Sequence, residues 1–173
     1  LETVALRYFN VFGPRQSLEN EYAVVVPKFI TSLLRRESPP VYGDGAQSRY
    51  FTYIDNVVEG TILASHVPGI SGEVFNIALG EEHSVLELLQ EINTILGVSI
   101  PPSFQPPRPG DVQRTLADST KAMRVMGWQG QVRFTEGLRR TVAWFRHHPI
   151  AQHPVSRSVP SIPSIRSGQS PTE

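Results

Sequence analysis

Cysteine is absent from the 173 residues. That removes disulfides, thiolate nucleophiles and sulfur-ligated metal sites, and it permits a reducing compartment. An excess of one charge is lacking too: 16 basic residues stand against 16 acidic ones. No electrostatic footprint for nucleic acid follows from that balance. No apolar run approaches the ~18 residues of a membrane-crossing helix, and no basic-then-apolar leader is visible. A cytoplasmic protein with no membrane and no nucleic-acid partner is the expectation. His66, His83, His147, His148 and His153 are scattered along the chain, which speaks against a metal site. No Gly-x-Ser-x-Gly element supports a serine hydrolase.

What is present suits one globular domain with a real core, since apolar residues make up 39% of the chain. Thr3 to Phe9 is a short, mostly apolar run, the pattern of a strand covered on both faces in a parallel sheet. Gly13-Pro14 breaks it. Between Tyr22 and Arg36, the residues Val26, Phe29, Ile30, Leu33 and Leu34 predict one apolar helix face, with Pro27 tolerable in the first turn. Val41-Tyr42 and Arg49 to Tyr53 read as extended pieces around the Gly43-Asp44-Gly45 loop. Asp55 is the expected N-cap of a helix over 56–67, and Glu73 to Ala78 alternates like a strand.

Ser84-x-x-Glu87 is a capping box. It opens a helix through Val85, Leu88, Leu89, Ile92 and Leu96, which Gly97 closes. Ile100 to Gly110 is proline-rich and reads as irregular. Asp118 is expected to cap a short helix ended by Gly127, and Thr135 to cap the last one, with Leu138, Val142 and Phe145 on its apolar face. Helices outnumber strands in this reading, which gives an α/β or α+β unit over residues 1–150. Residues 151–173 are rich in Ser and Pro without an aromatic, and are expected to be a disordered tail. Leu1 is not Met and the first residues already read as a strand, so the chain is read here as a fragment of a longer protein.

Several polar residues stand where ligands bind. Asn10 follows a strand at the sheet edge, where open α/β folds dock ligands. Arg49 and Arg108 lie in Gly/Pro-rich segments, and a guanidinium fork matches phosphate oxygens. Tyr42 beside the glycine loop has a ring suited to a base. Each has a plainer reading: a turn cap for Asn10, a surface ion pair for Arg49, a local turn pair for Arg108 with Asp111, half-buried strand filling for Tyr42. The residues alone leave both open and reach no further than an anionic-ligand domain.

Four segments in order resemble the NAD-dependent epimerase/dehydratase family, the extended short-chain dehydrogenase/reductases that act on nucleotide sugars. They are Leu6-Arg7-Tyr8-Phe9-Asn10-Val11-Phe12-Gly13-Pro14-Arg15-Gln16, Val41-Tyr42-Gly43-Asp44-Gly45-Ala46-Gln47-Ser48-Arg49, Tyr53-Ile54-Asp55-Asn56-Val57 and Arg108-Pro109-Gly110-Asp111-Val112. Phe134-Thr135-Glu136-Gly137-Leu138 resembles the family's closing helix. The resemblance implies an α/β fold, the C-terminal portion of a Rossmann-like sheet with a small substrate-binding subdomain. It implies NAD as cofactor, with Tyr8 and Phe9 near the nicotinamide. It implies a UDP-sugar substrate bound by Asn10, by Val25 and Lys28 at a helix start, and by Tyr42, Arg49, Arg108 and Asp111. A homodimer is implied for the intact protein.

The family's glycine-rich dinucleotide loop is not in this sequence. Its catalytic Tyr-x-x-x-Lys is missing as well, because no tyrosine here has Lys four positions on. No catalytic residue is therefore assigned, and the isolated chain is expected to turn over nothing. In the intact enzyme the resemblance implies transient oxidation at the sugar 4-position by NAD, with a tyrosine phenolate as base. The segments around Asn10 and Tyr22 are most similar to UDP-sugar 4-epimerases. UDP-glucuronate decarboxylases and dTDP-sugar 4,6-dehydratases are the alternatives within the family. A non-catalytic nucleotide-sugar-binding module, or a decayed remnant, is the alternative outside it.

Overall fold

The computed structural model describes residues 1–18, 25–110, 112–114 and 117–148. Asp111, the 22–24 part of the predicted first helix and the predicted tail lie outside the described residues. In chain order the elements are β1 (Ala5–Tyr8), β2 (Val11–Phe12), α1 (Val25–Leu34), β3 (Pro40–Tyr42), β4 (Ser48–Tyr50), β5 (Thr52–Tyr53), α2 (Ile54–His66), β6 (Val74–Ile77), β7 (Glu82–Ser84), α3 (Val85–Leu96), β8 (Ser103–Gln105), α4 (Thr120–Met126) and α5 (Phe134–His147). Strands outnumber helices among the described residues, contrary to expectation. Each is two to four residues long, too short for alternation to announce it.

The apolar spacings of α1, α3 and α5 deliver what they predict. Val26, Phe29, Ile30 and Leu33 of α1 are buried, and so are Leu88, Leu89 and Ile92 of α3. Leu138, Val142 and Phe145 of α5 join them. These three faces close on Phe12, Val41, Phe51, Tyr53 and Phe134 to make one core. Phe51 and Phe134 stack with centroids 5.5 Å apart, and Phe12 meets both edge-on. Gly137 is what lets α5 come this close: a Cβ there would lie 2.8 Å from the Tyr53 ring and 2.9 Å from Phe12.

A second core gathers Val57, Ile70, Phe75, Ile77, Ala122, Met126 and Trp128 between α2, β6 and α4. Asn56, buried at 1% exposure, joins the two. Its carboxamide donates to Val132 O at 2.8 Å and accepts from Val132 N at 2.9 Å. Its own carbonyl takes the Trp128 indole N–H at 2.9 Å.

Three of the four strand pairs are parallel: β1 with β6, β2 with β5 and β3 with β8; β4 and β7 are antiparallel. The extended pieces around the glycine loop thus pair outward, with different partners, and not with each other. β8 corrects the irregular reading of residues 100–110. Its three residues fit between Pro101-Pro102 and Pro106-Pro107, and Ser103 N–H reaches Pro39 O at 2.9 Å.

β1 corrects the expectation of a strand covered on both faces. Ala5, Arg7 and Tyr8 are exposed, because among the described residues only Leu6 of β1 packs against a core; along its edges β1 pairs with β6 alone. The capping box holds as predicted: Ser84 Oγ takes the Glu87 N–H at 3.1 Å, Glu87 Oε2 takes the Ser84 N–H at 2.7 Å, and Gly97 ends α3 in the left-handed region.

Three other starts differ. Tyr53 caps α2 without a side-chain bond, and Asp55 sits in the first turn pairing with Arg140 at 3.3 Å. Arg133 stands at the N-cap of α5 in place of Thr135, because Glu81 takes the Phe134 N–H from outside at 3.1 Å. Ser119 is the N-cap of α4, though Asp118 does accept the Thr120 N–H at 2.8 Å.

Candidate functional site

The chain turns sharply between β1 and β2, and Asn10 makes the turn. Its φ is 40°, a left-handed conformation that asparagine tolerates because its short side chain bonds locally. Here Nδ2 donates to Tyr50 O at 3.2 Å, and Asn10 O accepts the Thr52 N–H at 3.3 Å. Both bonds tie the turn to the β4–β5 segment. Gly13 follows inside the fold, where a Cβ would meet Ile54 Cγ2 at 2.5 Å.

The result is an open cleft of about 510 Å³ lined by Tyr8, Asn10 to Gln16 and Ile54. Tyr8 offers 48% of its surface there, and its hydroxyl is fixed to Thr61 Oγ1 of α2 at 3.0 Å. The ring is thus accessible at the cleft and tethered at its hydroxyl. Phe9 is half-buried and does not line the cleft.

The second group of predicted residues meets at the end of the β3–β8 pair. The Arg108 guanidinium carbon lies 3.7 Å from the centre of the Tyr42 ring. Arg108's hydrogen bond, then its charge, hold the Tyr42 phenol below its usual range, and Lys28 on α1 adds to the pull. Lys28 is half-buried in the helix whose first residue is Val25. Val25 packs against the edge of the first core. Arg108 and Tyr42 therefore come together, and Lys28 is near enough for its charge to act on the phenol.

Arg49 is one strand further on. Its NH1 donates to Ser48 O at 2.7 Å and to Gln113 O at 3.4 Å, so part of its fork holds the loop that carries Arg108. The plainer reading of an Arg108–Asp111 turn pair falls on a residue outside the described ones. Among the described residues no group of His and carboxylates could hold a metal, and no helix is long and apolar enough to cross a membrane.

Sequence reasoning missed Glu82 and Arg114. Arg114 Nε and NH2 donate to the two Glu82 oxygens at 2.7 and 2.6 Å, and Ser48 Oγ donates to the same carboxylate. Arg114 first, then Ser48, hold the Glu82 carboxyl below its usual range. No local pattern announces a pair 32 residues apart. Alternation of β7 would have given the face of Glu82 but not its partner.

The family model described as GDP-mannose 4,6 dehydratase matches residues 1–141. The chain belongs to the NAD-dependent epimerase/dehydratase family.

Its solved relatives include the UDP-glucose 4-epimerase of Thermotoga maritima with UDP-glucose, 40% identical, covering 86% of this chain and 47% of that one at a TM-score of 0.81. The UDP-glucuronic acid 4-epimerase of Bacillus cereus, in complex with UDP-glucuronic acid and NAD, is 33% identical over 83% of this chain and 45% of its own, with a TM-score of 0.78. A UDP-N-acetyl-alpha-D-glucosaminuronate decarboxylase of Bacillus cytotoxicus is 34% identical over 84% of this chain. The chain spans less than half the length of the curated relatives it matches. Its architecture is accordingly a part of the family's extended Rossmann-like α/β fold, and NAD is the cofactor with which members of this epimerase/dehydratase family are seen.

Proposed function

We propose that this chain grips the nucleotide-diphosphate half of a UDP-sugar within an NAD-dependent 4-epimerase. The observation that carries this reading is Arg108 lying 3.7 Å over the Tyr42 ring with Lys28 close enough to act on the same phenol. An aromatic face braced beside two cations is the chemistry a nucleoside diphosphate asks for: a surface for the base, and charge-assisted donors for the phosphates. Arg49 supplies a further fork from β4. Grip at this distance from the sugar provides binding energy remote from the reacting carbon. Asn10 and Tyr8 would then wall the cleft on the sugar and nicotinamide side. NAD, when bound, supplies the hydride acceptor and donor. No residue of this sequence is assigned the acid–base role.

The decarboxylase among the relatives supports a second reading, in which the same grip serves loss of the sugar carboxylate. In the protein that carries the cofactor half, interconversion of 4-epimeric UDP-sugars without release of CO2 is the expected activity; CO2 release from a UDP-glucuronate would favour the alternative. The grip is tested by calorimetry with UDP and the 173-residue chain. Arg108→Ala is expected to weaken binding by about 1.5–3 kcal/mol, the scale of a charged hydrogen bond. Unchanged affinity in Arg108→Ala and Arg49→Ala alike would remove the assignment.

A further inference from the structure

Residues 106–110 leave β8 beside Tyr42, and residues 112–114 lie at the edge of β4. The outgoing end is tied by Gly43 N–H to Gln105 O at 2.9 Å. The returning end is tied by Ser48 N–H to Gln113 O at 3.0 Å and by the longer Arg49 contact to the same carbonyl. Ser48 and Arg114 form a parallel bridge, so the returning chain runs beside β4 on the side away from β7. Arg114 then reaches across β4 to Glu82, which faces Tyr50 on β7. Both guanidinium bonds are made, and Ser48 Oγ, between the two, donates to the same carboxylate. Between the ties, residues 106–110 and Val112 are exposed, and Arg108 rests on the Tyr42 ring.

A two-bond guanidinium–carboxylate fork fixes direction as well as distance. We propose that Glu82 and Arg114 are positioning residues for Arg108: they clasp the far end of its loop to β4, so that Arg108 and Arg49 are presented together. That this presentation serves a nucleotide rests on the reading given under Proposed function. Arg114 is 62% exposed and Glu82 23%. Solvent screens the charges of such a pair, while its two-bond geometry fixes the direction of the returning chain.

The Tyr42 phenol reports where Arg108 is. The charged groups that act on it are Arg108 from the loop and Lys28 from α1. Spectrophotometric pH titration of the 173-residue chain, with Tyr42→Phe identifying the signal, should show one tyrosine ionising ahead of an ordinary phenol. Arg114→Ala should move that ionisation up, as Arg108→Ala does. Glu82→Gln, which keeps the shape of the side chain, should move it the same way. The exchange Glu82→Arg with Arg114→Glu should bring it back, which a merely structural loss would not allow. A Tyr42 titration unmoved by Arg114→Ala and by Glu82→Gln overturns the proposal.

With UDP in the calorimeter, Arg114→Ala should bind roughly fivefold more weakly and the exchanged pair as the parent does. Equal UDP affinity in parent and Arg114→Ala also overturns it. If the parent chain binds no UDP while the Tyr42 signal moves as described, the clasp stands and the nucleotide reading falls.

Discussion

Asn10 carries two demands at once: a backbone at φ 40° and a side-chain bond to Tyr50 O. Asn10→Ala meets neither, and is expected to cost about 1–2 kcal/mol in urea unfolding. Asn10→Gly loses the bond but adopts the turn freely, so it should cost less. If alanine is tolerated as well as glycine, positive φ is not what asparagine satisfies here. This residue shows how far sequence reaches at the smallest scale. The position of Asn10, and the meeting of Tyr42 and Arg108, were legible because they lie in segments that resemble a known family. The conformation of Asn10 was not, since no neighbouring residue type announces a left-handed turn. Glu82 and Arg114 were illegible for another reason: they meet only because β4 happens to pass between them.

Among the elements, those whose starts are written in local chemistry were legible. The Ser84/Glu87 box is local and reciprocal, and α3 begins where it says. Backbone and side-chain bonds to Ser84 hold the Glu87 carboxyl below its usual range. A carboxyl lowered in the folded state stabilises the fold above its unfolded pKa of about 4.3, and that contribution disappears as pH falls through the lower, folded value. Ser84→Ala should therefore cost about 1 kcal/mol near neutral pH, and its deficit against the parent should shrink once the buffer is acidified well below the carboxylate range. Urea midpoints measured at the two pH values check both. A deficit independent of pH would mean that Glu87 takes no part in the cap. By contrast α5 begins where a tertiary partner dictates. Glu81, 53 residues before Phe134, takes the first N–H of α5, and no local pattern could have moved the predicted cap from Thr135. β8 was missed because proline weighs against a strand, although here the prolines only bracket it.

Across the described residues, two cores meet around Ile54 and the buried amide of Asn56, and the candidate site is drawn from β1, α1, β3, β4 and the loops beside them. The periodic helices let the first core be anticipated almost residue by residue. The second core could not be, because β1 was read as a covered strand and lies open. That openness has a consequence for solvent. In a parallel pair, alternate N–H groups point to the partner and away from it. Ala5 N–H is bonded to Glu73 O at 3.0 Å, so the register directs Ala5 and Arg7 toward β6, and Leu6 and Tyr8 toward the open side. Amide hydrogen exchange followed by NMR should therefore split this one strand in two: Ala5 and Arg7 keep their protons while Leu6 and Tyr8 give theirs to deuterium at close to the rate of an unstructured peptide. Uniform protection along all four residues would mean that something in solution closes the strand's second side.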